Sequence, residues 1–392
     1  MSAVVPASRK YQVVFDDLRK EILSGKYKPG EKMPSEADLV KRFGTSRITV
    51  GRAVRELRRR DLVERRAGSG TYVRADQSHG LSFGLLIPDL GHTEIFEPIC
   101  RGMADAPQAA DHALLWCNAA CGNAAATRQE QAWQLCQQHI ARQVAGVFFA
   151  PLERLEPDDR TNHRIIAALA KARIPVVLLD REFLPYPQRS RYDLIGIDNR
   201  RTGYIVTEHL LKLGARRVAF LTYARSPSTV EERIAGYREA LLMHGLPLDP
   251  ALVQRLESED DEGIRRVVET VQPDAFVCAN DPTAGRLMQS LIALGRRVPQ
   301  DIRVVGIDDV GYARLLPVPL TTMHQPCREI GMAAMAAMLE RLARPDMPVR
   351  DVLLECKIVV RDSCGAKAGI SAASPQMGDR DPVAGMLGTG EA

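Results

Sequence analysis

From residue 81 onward, short apolar runs alternate with amphipathic stretches of helical period, and this alternation restricts the fold more than any other feature of the chain. Residues 83–87, 113–117, 145–149 and 176–179 read as buried strands, and 195–197, 218–221, 275–278 and 304–307 continue the series. Between them, 127–142, 162–172, 200–213 and 283–294 read as helices. A strand covered on both faces is apolar throughout, and a helix must return the chain before the next parallel strand begins. The expected fold is therefore α/β, a doubly wound parallel sheet with helices on both faces. Polar residues follow the apolar runs with equal regularity: Asp89, Asn118, Asp180 and Arg181, Asp198 and Asn199, Asn280 and Asp281, Asp308 and Asp309. Ligands of open parallel sheets bind outside the carboxyl ends of strands, so these side chains are expected to converge on one crevice. Carboxylates, amides and an arginine suit a polyhydroxylated ligand, and Phe96 is a candidate to cover the apolar face of its ring. Asp198, Asp281 and Asp309 read equally well as helix N-caps.

The first 75 residues follow another pattern. Tyr11, Val14, Phe15, Leu18 and Ile22 share one helical face that ends before Gly25. Ser35 and Asp38 form a shortened capping box for a second helix, which Gly44 stops. Thr45 or Ser46 caps a third, in which Val50, Ala53, Val54 and Leu57 recur on the core side while Ile48, Arg52, Arg55 and Arg59 face the other way. Two helices joined by a tight turn, the second basic at its start, suit insertion into a DNA major groove. Residues 62–66 and 71–74 then read as two short strands around Ala67-Gly68-Ser69-Gly70, a wing whose glycines Gly68 and Gly70 let backbone N–H groups approach phosphate or the minor groove. Charge follows the same division. Residues 1–76 hold 18 Lys and Arg against 10 Asp and Glu, a net of +8, and the remainder nets −4.

These features make residues 9–75 resemble the winged helix-turn-helix of the GntR family of bacterial regulators. The resemblance implies DNA contacts from Ser35, Ser46, Arg47, Thr49 and Gly68. Two positions depart from the family pattern: Gly51 stands where Arg is usual after Thr-Val, and Ala37 where Arg often follows Pro-Ser-Glu. Residues 81–363 resemble the LacI/GalR family, whose sensor shares the two-lobed fold of type I periplasmic sugar-binding proteins. The marks are Gly84-Leu85-Leu86-Ile87-Pro88-Asp89, Leu179-Asp180-Arg181, Glu232-Arg233-Ile234-Ala235-Gly236-Tyr237, Ala279-Asn280-Asp281, Val305-Gly306-Ile307-Asp308-Asp309, Leu320-Thr321-Thr322 and Val360-Arg361-Asp362-Ser363. That resemblance implies that Phe96, Asp180, Arg233, Asn280, Asp308 and Gln325 line an effector cleft, with Arg181 beside them at the end of its strand. The first loop, Gly91-His92-Thr93-Glu94-Ile95-Phe96, departs from the common Ser-Asn-Pro-Phe-Phe, so the effector's identity does not carry over.

The expected domains are then 1–75 for DNA binding, 76–80 as a linker, 81–363 for effector binding and dimerisation, and 364–392 as a disordered tail rich in Gly, Ala, Ser and Pro. The expected function is that of a repressor of carbohydrate-utilisation genes, a homodimer on an inverted-repeat operator, released by a small sugar. A purine or sugar-phosphate effector, or ligand-dependent activation, is the alternative. A transport solute-binding protein would need an export signal, and the N-terminus has no apolar core followed by a small-residue cleavage site, which predicts a cytoplasmic protein without membrane partners. No phosphate loop, zincin or hydrolase-elbow motif occurs, so no enzyme activity and no cofactor are expected. Cys117, Cys121, Cys136 and His139 have a loose metal-like spacing, but Cys117 ends a strand run and Cys136 lies inside a helical one, so no metal site is expected either.

Overall fold

A computed structural model describes residues 7–23, 25–28, 30–59, 62–66, 69–73, 80–88, 90, 94–116, 127–156, 158–257 and 260–367. They divide into two compact units. The first holds the described residues up to Ile197 together with 227–229 and 326–355; the second holds 198–226, 230–325 and the described residues from Cys356 on.

The first unit begins with α1 (Ala7–Leu23), α2 (Glu36–Phe43), α3 (Arg47–Arg59), β1 (Val63–Arg66) and β2 (Gly70–Val73). Val14, Leu18 and Ile22 of α1 close over Leu39, Val50, Ala53 and Leu57, and the hairpin adds Val63 and Val73 to the same core. The expected capping box is present: Asp38 N–H donates to Ser35 Oγ at 3.2 Å, and Ser35 N–H donates to Asp38 Oδ2 at 3.2 Å. Gly44 ends α2 at φ 55°, a left-handed conformation that costs glycine little and makes the tight turn into α3. Arg42 of α2 donates to Glu21 Oε2 at 2.7 Å and to Asp17 at 3.1 Å on α1. The Arg42 guanidinium holds the Glu21 carboxyl down at about 2. β1 and β2 pair antiparallel from Val63 opposite Val73 to Arg66 opposite Gly70.

The same unit continues with β3 (Ser82–Leu86), α4 (Phe96–Asp105), β4 (Ala113–Leu115), α5 (Arg128–Ala141), β5 (Gly146–Phe149), α6 (Thr161–Ala172), β6 (Val176–Leu179) and β7 (Asp193–Ile197). The chain then enters the second unit through α7 (Asn199–Lys212), β8 (Val218–Tyr223), α8 (Ser228–Met243), β9 (Val253–Leu256), α9 (Asp261–Arg266), β10 (Ala275–Cys278), α10 (Asp281–Ala293), β11 (Arg303–Asp308) and β12 (Thr321–His324). It returns to the first with α11 (Cys327–Ala343) and β13 (Asp351–Leu354), and re-enters the second with β14 (Lys357–Val359). One sheet has the order β13-β7-β6-β5-β3-β4, all parallel. The other has the order β14-β12-β11-β10-β8-β9, parallel except for β14, which runs antiparallel to β12.

Two helix pairs cross backbone to backbone. A Cβ on Gly203 of α7 would lie 2.1 Å from the Arg233 carbonyl oxygen of α8, and one on Gly236 would lie 1.9 Å from that of Arg200. In the first unit, a Cβ on Gly102 of α4 would lie 2.0 Å from Arg328 O, and one on Gly331 of α11 would lie 2.0 Å from Ile99 O. Glycine is required at these crossings because there is no room for any side chain.

The expected strands are present, 176–179 and 275–278 with the expected ends and the others with ends shifted by one or two residues, and four more join them: β9, β12, β13 and β14. The expected tail also begins too early at 364. Cys364 is fully buried and Thr321 Oγ1 donates to its Sγ at 3.1 Å, so the sensor extends beyond Ser363. The expected linker at 76–79, the tail from 368, and Gly68, Asp89, Asn118, Cys117 and Cys121 lie outside the described residues.

Candidate functional site

The DNA-facing candidates sit around the start of α3. Ser46 Oγ accepts from Thr49 N–H at 3.3 Å and lies 2.9 Å from Thr49 Oγ1, so one local cap engages both hydroxyls. Arg47 projects with 83% of its side chain exposed, its Nε 3.7 Å from Glu36. An exposed pair of this length adds little stability and leaves the guanidinium free to exchange partners. Ile48 is 80% exposed, and Arg55 is exposed beyond it. The Arg52 guanidinium carbon stands 4.1 Å from the centre of the Tyr11 ring, a cation–π contact that ties α3 to α1. Ser35 is committed to capping α2 and Ser46 to capping α3, and each keeps an exposed position. In the wing, Gly70 has φ 124°, and a Cβ there would meet Lys32 Cε at 2.9 Å. Arg66 lies over the Tyr72 ring at 4.6 Å.

In the first unit's sensor portion, Asp180 and Arg181 follow β6, and Phe96 opens α4. Asp180 adopts φ 68°, a left-handed conformation uncommon outside glycine, although Asp tolerates it better than most residues. Arg181 Nε donates to Asp180 Oδ2 at 2.9 Å, and its Nη1 donates to Glu153. The same guanidinium lies 5.8 Å from the centre of the Phe96 ring. Burial works against the charge on Arg181, but Asp180 and Glu153 outweigh it and raise its pKa. Burial likewise works against ionising Glu153, and Arg181, Arg154 and Arg128 overcome it, lowering its pKa. Glu153, four residues beyond β5, was not among the sequence candidates. An acid just past a strand end is its only sequence signal.

In the second unit, Arg233 on α8 donates to Asn199 Oδ1 at 2.8 Å and to the Ala279 carbonyl at 2.5 Å, with Asp308 Oδ1 3.8 Å from Nη2. Gln325 Nε2 donates to Asp308 Oδ1 at 2.6 Å. Asp308 and Asp309 have φ 125° and 56°, two successive left-handed acids at the end of β11. Backbone held in sparsely populated regions is concentrated at binding sites, because the surrounding packing must over-determine it. Arg233, Asp308 and Gln325 thus form one network; Asn280 is turned to another task. Its Oδ1 caps α10, accepting from Thr283 N–H at 3.0 Å and from the Thr283 hydroxyl at 2.6 Å. Asp198 also acts as a cap, accepting from Arg201 N–H at 2.9 Å. Asp281 is fully buried; its Oδ2 accepts from Val310 N–H at 3.0 Å and its Oδ1 from the Thr322 hydroxyl at 2.5 Å. Burial, and then the neighbouring Asp308 carboxylate, push its pKa up. Asp309 is paired with Arg361 at 2.6 Å and His324 at 3.0 Å. Among the described residues, no group of three or more His, Cys, Asp or Glu is disposed to hold a metal ion, and no helix is long and apolar enough to cross a membrane.

Comparison with known proteins matches two stretches of the chain. The model of bacterial regulatory proteins of the gntR family matches residues 10–73, and that of a periplasmic binding protein-like domain matches residues 207–364. The chain is 26% identical to the arabinose metabolism transcriptional repressor of Geobacillus stearothermophilus, over 90% of this chain and 97% of that protein. It is 29% identical to the ribose operon repressor of Haemophilus influenzae over 48% of this chain and 57% of that one. A solved transcriptional regulator CelR–cellobiose complex superposes with a TM-score of 0.62 at 24% identity, covering 81% of this chain and 90% of that chain, a likeness of fold. The chain thus joins a gntR-type helix-turn-helix domain to a periplasmic-binding-protein-like domain, and the relatives it matches are transcriptional regulators.

Proposed function

We propose that the protein represses genes of sugar utilisation, binding an inverted-repeat operator as a cytoplasmic homodimer and leaving it when a small neutral sugar binds the sensor. The observation that carries this reading is the pairing of strained acids with saturated arginines at the carboxyl ends of the sensor strands. Asp180 and Asp308 are held at positive φ, and each engages an arginine: Arg181 or Arg233. Carboxylate and amide acceptors held this way are well matched to vicinal hydroxyls. They are poorly matched to a phosphate. Arg181 is already neutralised by Asp180 and Glu153, and Arg233 is bonded to Asn199 and the Ala279 carbonyl, so an anionic sugar phosphate would have to compete for both. Likeness to an arabinose metabolism repressor over nearly its whole length supports a pentose as the first sugar to try.

The test uses full-length protein and a duplex selected by it from random DNA, with binding followed by fluorescence anisotropy during titration with arabinose, ribose, cellobiose and ribose 5-phosphate. Release by a neutral sugar at micromolar to millimolar concentration, with an inverted repeat in the selected duplex, is the expected result. Release by the phosphate ester alone would overturn the effector class, and tighter binding with sugar would reverse the sign of regulation.

A further inference from the structure

We infer that Ile48 is a base-reading residue of this regulator, recognising the C5-methyl group of a thymine in each operator half-site. The inference rests on α3 being the helix that enters the major groove. Ile48 is 80% exposed, a larger fraction than for any other aliphatic residue among the exposed large hydrophobic side chains described. A single exposed aliphatic residue needs no explanation in general, but this one does not stand alone. One turn further along the same face is Gly51, where a Cβ would have no neighbour nearer than Glu36 Oε2 at 3.9 Å. Space therefore does not demand the glycine, which is half-buried, and a mid-helix glycine costs about 1 kcal/mol relative to alanine. Ile48 and Gly51 thus break two local rules at i and i+3 on one helix face, where a charged or polar helix former would serve stability better.

The surroundings narrow the chemistry. The hydroxyls of Ser46 and Thr49 lie 2.9 Å apart in the cap, and Arg52 rests against Tyr11. Arg47 and Ile48 are left as the long exposed side chains of the first turn, one a donor fork and the other apolar. On base edges in the major groove of unmodified DNA the thymine methyl is the apolar group that projects into the groove, beside hydrogen-bond donors and acceptors and the small C5–H of cytosine. An aliphatic side chain in that turn gains from burying the methyl and loses by covering the polar edge of any other base. Gly51, lacking a side chain, leaves the groove wall beside Ile48 unobstructed.

The experiment replaces each thymine of the selected duplex, one position at a time, with uracil, which keeps the base pair and removes only the methyl. Binding of wild type, Ile48→Ala and Arg47→Ala is measured on each duplex. One thymine per half-site should show about fourfold weaker wild-type binding as uracil, the ratio corresponding to ~0.8 kcal/mol for a buried methyl-sized group. Ile48→Ala should bind the thymine and uracil duplexes equally at that position, while Arg47→Ala keeps the fourfold difference. Ile48 is solvent-exposed, so its truncation leaves the fold intact, checked by an unchanged melting temperature. If no uracil substitution matters, or if Ile48→Ala retains the full thymine preference, the inference is wrong although the DNA-binding reading stands. If Arg47→Ala binds as wild type does, the reading of α3 itself is wrong and the inference falls with it.

Discussion

Replacing Asp281 separates two accounts of the second unit's buried acid. Both of its oxygens are used: Val310 N–H donates to one at 3.0 Å and the Thr322 hydroxyl to the other at 2.5 Å, with no exposure of Asp281 or Thr322 to solvent. Burial first, and the Asp308 carboxylate second, disfavour its ionised form. A neutral acid can instead donate through its own hydroxyl to Thr322 while still accepting from Val310, and an asparagine can do the same with its NH2 and carbonyl. Asp281→Asn should therefore fall within about 1 kcal/mol of wild type near pH 5. Asp281→Ala leaves two buried donors without their acceptor, at about 1–3 kcal/mol each, and should lose about 2–6 kcal/mol. A carboxyl whose folded pKa lies above its unfolded value of 3.8 binds a proton in the folded state that the unfolded chain releases. Wild-type stability should then fall as pH rises from about 4 toward the raised folded pKa, then level off, and the Asn variant should lack that part of the slope. Urea unfolding at half-unit pH steps measures both effects, and the difference between the two curves cancels the other titrating groups. An Asn variant as unstable as the Ala variant, or one with the wild-type slope, would show that the site holds a carboxylate.

Arg47→Ala should weaken operator binding while leaving effector binding intact; a lost phosphate contact lowers the salt slope by about one unit, and a lost base contact costs roughly 1–3 kcal/mol at one position. Gly203→Ala should destabilise the protein by about 1–3 kcal/mol, because its Cβ would be 2.1 Å from the Arg233 carbonyl oxygen and α7 and α8 would have to part; an unchanged melting temperature would refute the close crossing. Glu21, held at about 2 by Arg42, contributes stability that is present above its ordinary pKa near 4.5 and is lost as pH falls toward 2. Glu21→Gln should thus cost about 1 kcal/mol at pH 7, a value reduced for solvent screening, and nothing below pH 2, as read from acid unfolding curves.

The parallel sheets were legible because strands such as 176–179 and 275–278 are buried on both faces and apolar throughout, which leaves a signal that survives without tertiary context. β12 was missed for the opposite reason. Its Thr321 and Thr322 are buried but polar, and their hydroxyls are satisfied by Cys364 and Asp281, partners remote in sequence. β13 alternates exposed and half-buried residues at a sheet edge and carries no continuous run. Among the candidate residues, position after a strand singled out Asp180, Asp198, Asn280 and Asp308 alike and could not tell which of them cap a helix. Asn280 and Asp198 prove to be caps, a distinction that depends on which backbone N–H lies within reach. The positive φ of Asp180 and Asp308 had only a weak sequence signal, since Asp visits that region more readily than most residues but is far from confined to it.

The returns of the chain bear on how the protein is made. The first unit's sheet ends on β13, and its α4 meets the glycine face of α11, yet both partners are encoded after the whole stretch 198–325 of the second unit. The second unit is closed in turn by Ser363, whose hydroxyl donates to Val304 O at 2.6 Å and accepts from Thr321 N–H at 2.8 Å. A ribosome adding about 5–20 residues per second spends on the order of ten seconds on that intervening stretch. Throughout that interval the nascent first unit has an unpaired β7 edge and an uncovered α4, surfaces that invite association with other chains. The winged domain has its own core, complete by Val73, and it can be folded long before the sensor that governs it exists. During synthesis, therefore, the winged domain can be complete before the sheets of the other domain are closed.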